Sequence, residues 1–392
     1  MSARPTISRI ILRPLGVPLR QLYISSMYIM PMVERLAIEI ETSDGGRGYG
    51  ETYGSAEVLD SSVRMARRLL GRSPFDRLAL RRLLAGPMIM SRNGRRDWAA
   101  FGGLELALFD WAGRHHDLPL WQMLGGNGQE TVEVVCPVPA LILDKPVDRP
   151  ALAALFNDHG RIKDVVGYCL ERRRESGFTC FKYKSTGSNP AWDIAVLRAL
   201  REQLGQTVKL RWDPNAAYPP AQASLITAEL DELGLEFFED PTAGIAGMAS
   251  LRSRMRTRLA TNMCVIQFDH LAAALRQPCV DVLLADISMW GGVQSIVELA
   301  ELSPLLGFEV AIHSLFETGI GSAANLHLAA ALGPIRRATD FGLHVLEAEV
   351  TMPSLLPVQA GRVRVPEGPG LGVMPEPESL RRYQTDEIAI AA

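Results

Sequence analysis

Charged or amide side chains close a series of short apolar runs in this chain, at a nearly constant stride. CFKYKST carries Lys182 and Lys184, TVKLRWDPN ends on Asp213 and Asn215, and LEFFEDP carries Glu239 and Asp240. RLATNM brings Asn262, VDVLLADIS brings Asp286, FEVAIHS brings His313 and IRRATDF brings Asp340. From Lys184 onward the steps are 29, 26, 23, 24, 27 and 27 residues. Asp213, Glu239 and Asn262 fall on three consecutive run ends. Two carboxylates and an amide oxygen suit a hard divalent cation such as Mg2+ and leave room for water and substrate. Lys182 and Lys184 are two apart on one run, so on a strand they share a face. Crowded and partly desolvated, such a lysine is expected to have a lowered pKa and to act as a base. Asp286 precedes His313 by one stride. A carboxylate that accepts from one imidazole nitrogen fixes the tautomer and raises the basicity of the other. A cation flanked by a lysine and a His–Asp pair is equipped to remove a proton beside a carboxylate and to stabilise the resulting enediolate.

These groups need elements that bring them to one place. Each stride is the length of a strand, a helix and two loops; an eight-unit barrel of about 250 residues gives roughly 31 residues per unit. From Thr131 short apolar runs alternate with amphipathic helices, near 160–176 and 190–204, which predicts a parallel sheet with helices outside. Eight runs, the last ending near Phe341, close a barrel whose strand tips share one mouth. Before it, residues 5–14 and 33–42 read as strands, with a hairpin turn at Ser43–Gly46 and a short return strand. Leu19–Met32 reads as a Met- and Tyr-rich loop, either local packing or a flap that closes over a ligand. Three helical stretches follow, from Ser55, from Asp76 and from Arg95. Gly102 and Gly103 inside the third cost about 1 kcal/mol each against Ala, so something is expected to pack closely there. The tail after Leu346 carries a strand and turn and is expected to pack back on the first domain. The divisions are thus 1–128, 129–345 and 346–392.

Composition narrows the partners. A net charge of −3 argues against a general nucleic-acid binder. The five cysteines are scattered without CxxC spacing, so neither a disulfide framework nor a zinc site is signalled. Reduced thiols fit a cytoplasmic protein. No run approaches the roughly 20 apolar residues that span a membrane, and the start has no signal-peptide run. Apolar outer helices such as SLITAELDELG leave room for a homo-oligomer.

RGYGET, LELALFDWAG followed by LPLWQMLGG, FKYK, DPN, EDP, ATNM, LADIS, AIHS and GPGLGV together resemble the enolase superfamily over nearly the whole chain. The resemblance is to its mandelate racemase/muconate lactonizing enzyme-like branch, closest to the glucarate dehydratase group, which has an Asn as third ligand. It implies an α/β fold: a modified (β/α)7β barrel with an N-terminal α+β capping domain, completed by the C-terminal tail, and a flap near residues 19–32 that governs substrate choice. It implies Mg2+ held by Asp213, Glu239 and Asn262, with Lys184 as one base, Lys182 on the substrate carboxylate, and His313 with Asp286 as the opposite base. Asn215, Asp340, Leu315 and Tyr23 of the flap fall at substrate-facing positions. Leu315 stands two residues after His313, where the group usually carries Asn, and DFGL replaces Asp-Thr-His-Trp at the eighth run. The activity implied is dehydration of an acid sugar, with a racemase or epimerase on another carboxylate as the alternative.

Overall fold

A computed structural model describes residues 4–89, 94–143, 145, 147–333, 335–355 and 357–391. The chain begins with an antiparallel sheet: β1 (Ile7–Ile24), β2 (Ile29–Thr42) and β3 (Arg47–Tyr53), to which the C-terminal strand Ile388–Ala391 adds on the far side of β1. The tail therefore packs back on this sheet. Three helices cover one face: α1 (Ala56–Leu69), α2 (Arg77–Ile89) and α3 (Gly94–His116). Ser55 caps α1 by accepting from the Val58 amide. Ile10, Ile38, Ile40, Leu104, Leu108 and Trp111 form the core between sheet and helices. Close approach is built in with glycine. A Cβ on Gly50 would lie 2.1 Å from the Gly103 carbonyl oxygen, so β3 lies directly on the α3 backbone. One on Gly103 would meet Ile38 and Thr52 at 2.9 Å, and one on Gly102 would meet the Ile287 oxygen at 2.7 Å. The helix glycines thus sit where something packs closely, as their cost implied.

The expected loop at Leu19–Met32 is corrected. β1 and β2 run on as one long hairpin, and only Ser25–Tyr28 turns. Cross-strand pairing through Val17↔Val33 and Tyr23↔Met30 supplies the backbone hydrogen bonds that a run without a clean apolar period does not advertise.

The second part is a barrel of eight parallel strands: β4 (Thr131–Val138), β5 (Cys180–Lys184), β6 (Lys209–Asp213), β7 (Phe237–Glu239), β8 (Leu259–Thr261), β9 (Val282–Ala285), β10 (Glu309–Ile312) and β11 (Thr339–Asp340). The order is β10-β9-β8-β7-β6-β5-β4-β11, nearly closed, with Arg362–Arg364 added antiparallel at the start of β4. Outer helices fall where the pattern put them, at Ile162–Ser176 and Pro190–Leu204, the second capped by Asn189. Phe237, Ala260, Leu284 and Ala311 meet in one small apolar cluster, and Val135, Cys180 and Ala338 in another. Glu239, Asn262, Asp286 and His313 each stand two residues beyond a member of the first, and Lys182 and Asp340 two beyond Cys180 and Ala338. The two-residue period of an extended chain therefore carries each onto the face of its cluster member. Among the described residues no helix is long and apolar enough to cross a membrane.

Candidate active site

Lys182, Lys184, Asp213, Glu239, Asn262, Asp286, His313 and Asp340 are all buried at the tips of the barrel strands. Lys182 Nζ donates to Glu239 Oε2 at 3.1 Å and to Asp340. Lys184 pairs with Asp213 and lies 3.4 Å from Asn215 Oδ1. The Asn215 amide N–H donates to Asp213 at 2.8 Å. Asn215 and Asp240 hold left-handed backbone angles, φ 50° and 36°. Such strained tips persist only where surrounding contacts over-determine them; Asp240 accepts from the Asn262 amide at 2.8 Å and from the Thr261 hydroxyl.

His313 lies between two tips. Its Nδ1 is 3.2 Å from Asp286 Oδ2, and its Nε2 is 2.6 Å from Asn262 Nδ2. Asp286 cannot donate when ionised, so Nδ1 carries the proton and Nε2, unprotonated, accepts from the Asn262 amide. Asp286 is itself fixed by the amides of Ser288 and Met289 at 2.7 and 3.0 Å, and by the Tyr53 hydroxyl at 2.9 Å. Burial works against the Asp286 charge, but the His313 contact holds its carboxyl below the usual range.

The two lysines correct the expectation of a lowered pKa. Burial alone lowers each. For Lys182 the charges of Asp340 and Glu239, and for Lys184 that of Asp213, outweigh it, and both ammonium groups are held above the usual value. Asp340, desolvated but flanked by Lys182 and Arg211, stays below its usual range. Glu239 goes the other way: burial, and then the charge of Asp213, push it up to about 8. Two carboxyls that repel in this manner would be relieved by a cation held between them. Asn262 Oδ1 supplies an independent sign, for it is buried without a hydrogen-bond partner. Among the described residues no three of His, Cys, Asp and Glu cluster for a metal; Asp213 and Glu239 act on each other's charge, and two carboxylates with an amide oxygen are a donor set of the kind that suits a hard oxygen-seeking dication.

A cavity opens on Lys182, Lys184 and Asp340, and is otherwise lined by Tyr23, Tyr28, Val135, Pro137, Ser314, Leu315, Phe316, Phe341 and Gly342. Tyr23 and Leu315 are therefore cavity residues. Asn215 is not; its side chain is spent on Asp213 and Lys184. The hairpin turn is pinned over the tips: Ser26 donates from its amide to the Ser185 oxygen at 3.0 Å and from its hydroxyl to the Pro214 oxygen at 2.7 Å.

Sequence reasoning missed several supporting groups. Arg211 is buried beneath the site and bridges Glu236, at 2.6 Å, and Asp340, at 3.2 Å. Its place two residues before Asp213 on the same strand was the available signal. Glu317 holds the loop after His313 by accepting from Ser314 and from the Leu315 amide. Tyr53, Arg35 and Glu51 come from the hairpin sheet, and only the coming together of the two parts reveals them.

Two family profiles match the chain: an enolase C-terminal domain-like profile over residues 165–379, and the mandelate racemase/muconate lactonizing enzyme N-terminal domain over residues 17–125. A probable glucarate dehydratase from Streptomyces coelicolor is 32% identical, across 97% of this chain and 93% of that protein. An arabinonate dehydratase from Saccharolobus solfataricus is 27% identical over 87% of this chain and 88% of its own, and an N-succinylamino acid racemase from an Amycolatopsis species 27% identical over 98% and 100%. Among solved structures, an enolase from Streptomyces coelicolor superposes with a TM-score of 0.88 at 32% identity, covering 97% of this chain and 96% of that one. An enolase from Pseudomonas fluorescens with bound magnesium, potassium and tartrate does so at 0.85 and 28% identity, covering 97% and 92%.

Proposed function

Because the chain belongs to the mandelate racemase/muconate lactonizing enzyme family of the enolase superfamily, we propose that it is a magnesium-dependent dehydratase of acid sugars. It removes the proton α to a carboxylate and expels the β-hydroxyl as water. The observation that supports this best is the junction of Asn262 with His313, which sets an imidazole held by Asp286 against a ligand set of Asp213, Glu239 and Asn262. Magnesium, when bound, supplies positive charge against the substrate carboxylate. Lys182 holds that carboxylate. Lys184 and His313 flank the α carbon. In a dehydration Lys184 takes the α proton, the electron pair forms the enediolate, and its collapse breaks the bond to the β oxygen. His313, having first taken up a solvent proton at Nε2 to form an imidazolium that Asp286 stabilises, delivers that proton to the departing oxygen and returns to the neutral form. Lys184 must be neutral to begin, so relief of its pairing with Asp213 is a condition of the step.

A racemase or epimerase is the second reading. Two acid–base groups beside one carbon are all it needs, and a racemase is among the relatives. Incubation with sugar acids and Mg2+ in D2O separates the two. Dehydration yields a keto-deoxy acid that forms a semicarbazone; racemisation yields deuterated, inverted substrate with no loss of water. The semicarbazone is the expected result.

A further inference from the structure

The cavity carries its charge at one end. Lys182, Lys184 and Asp340 form its floor at the strand tips, while the hairpin and the loops beyond β10 and β11 give Tyr23, Tyr28, Leu315, Phe316 and Phe341. Among the described residues no other lysine, and no arginine, lines it. Arg35, which approaches the Leu315 carbonyl, is already paired with Glu51 at 2.7 Å. The Tyr23 hydroxyl is buried on this wall without a partner. The residue is 2% exposed, its ring packs edge-on against Phe316 at 4.6 Å, and its oxygen has no hydrogen-bond partner. An unsatisfied buried hydroxyl costs about 1–3 kcal/mol, which a ligand oxygen would recover.

We infer that the site takes a monocarboxylate with an uncharged, hydroxyl-bearing far end, an aldonate rather than an aldarate, and that the Tyr23 hydroxyl pairs with a hydroxyl of that chain. This rests on the reading that the cavity receives the acid sugar, and narrows its class. Magnitudes decide between the two kinds of acid. A second carboxylate against this wall loses its hydration, at an effective cost of several kcal/mol. One neutral phenol returns about 1.5–3 kcal/mol to a charged acceptor. A terminal alcohol has far less hydration to lose and gains the same bond. Burial raises the Tyr23 phenol well above its usual value, so it stays a neutral donor and offers a carboxylate no positive charge.

The test uses matched pairs that differ only at the terminus, gluconate against glucarate and galactonate against galactarate, with Mg2+. Calorimetric binding to the Lys184→Ala variant is measured beside turnover of the parent. The aldonates are expected to bind, and to react by kcat/KM, at least about 100-fold better. Tyr23→Phe is expected to raise KM for a hydroxyl-ended acid about tenfold, and to raise it less for the matching terminal deoxy acid. Leu315→Arg, which adds a cation to the wall, is expected to shrink the preference. Equal or tighter binding of the aldarates, or of neither class, overturns the inference, as does an equal effect of Tyr23→Phe on both acids. If no acid turns over but the aldonates still bind preferentially, the dehydratase reading falls and the inference about the ligand stands.

Discussion

His313 is useful to acid–base chemistry because its two nitrogens meet different partners. Asp286 fixes Nδ1 as the protonated one, and Tyr53 fixes Asp286. His313→Asn and Lys184→Ala are each expected to cut turnover by about 10²–10⁴, the usual yield of one positioned acid or base. Tyr53→Phe removes only the hydrogen bond to Asp286, so a fall of about tenfold in kcat with KM held is expected; a change in KM alone contradicts a positioning role. Asn262 allows a separate check of the ligand set. Asn262→Ala deletes the partnerless Oδ1 together with the Nδ2 contact to His313, so the metal-free Tm should fall by a few degrees at most while Mg2+ affinity by calorimetry drops at least about tenfold. The sequence showed the tip residues because each ends an apolar run, and a two-residue period carries each onto the face of a buried cluster. It could not show Tyr53 or Glu317, whose roles depend on contacts between segments far apart in the chain. Nor could it give the lysine protonation states, since these are set by carboxylates on other strands.

Elements impose a second set of constraints, and α3 carries most of them. Its glycines let β3 lie on its backbone on one side and the Ile287 carbonyl on the other. Ile287 adjoins Asp286, so displacement of α3 reaches the His313 partner. Gly102→Ala places a methyl where the carbonyl already sits; a loss of about 1–3 kcal/mol by denaturant unfolding is expected, although alanine is the better helix former. One turn on, Glu105 of the same helix is buried and accepts from the Gln294 amide at 3.1 Å. Burial pushes its carboxyl up to about 7. A carboxyl raised in the folded state favours folding fully below the unfolded value near 4.5, and that contribution is lost as pH climbs through about 7. Glu105→Gln stays neutral throughout. Its Tm should match the parent near pH 5 and exceed it by a few degrees at pH 8; a parallel shift at both pH values would remove the carboxyl from the account. The helices and barrel strands were readable from period and caps, and the paired glycines announced a tight contact without naming its partner. The hairpin through Leu19–Met32 was not readable, since its strands are held by pairing with each other rather than by apolar alternation.

At the scale of the whole molecule, one buried carboxylate of the hairpin sheet reaches into the barrel. Glu51, at the end of β3, accepts from Arg35 Nε at 2.7 Å, from the Thr318 amide and hydroxyl at 2.9 and 2.6 Å, and from the Gly321 amide at 2.8 Å. Thr318 and Gly321 open the barrel helix Gly319–Ala331, where an anion also meets the positive end of the helix dipole. Arg35 reaches on to the Leu315 oxygen at 3.4 Å, so the same cluster braces the cavity wall beside His313. Glu51→Gln keeps the shape and removes the charge, which leaves buried Arg35 with only the longer ion pair to Glu317, at 3.9 Å. Breaking a buried pair from one side costs about 3–5 kcal/mol, so a marked fall in Tm is expected. Arg35→Met alone strands Glu51 in the same way, although the helix amides still hold it, and a smaller loss follows. With both changes made, the Arg35–Glu51 pair is gone from both sides and only Glu317 loses its Arg35 contact while keeping Ser314 and the Leu315 amide, so the double variant should recover part of the stability lost by Glu51→Gln. Its activity should not recover, because the Leu315 loop has lost the guanidinium that tethered it to the sheet. Return of stability together with full kcat/KM in the double variant would show that the pair joins the two parts without positioning the catalytic loop.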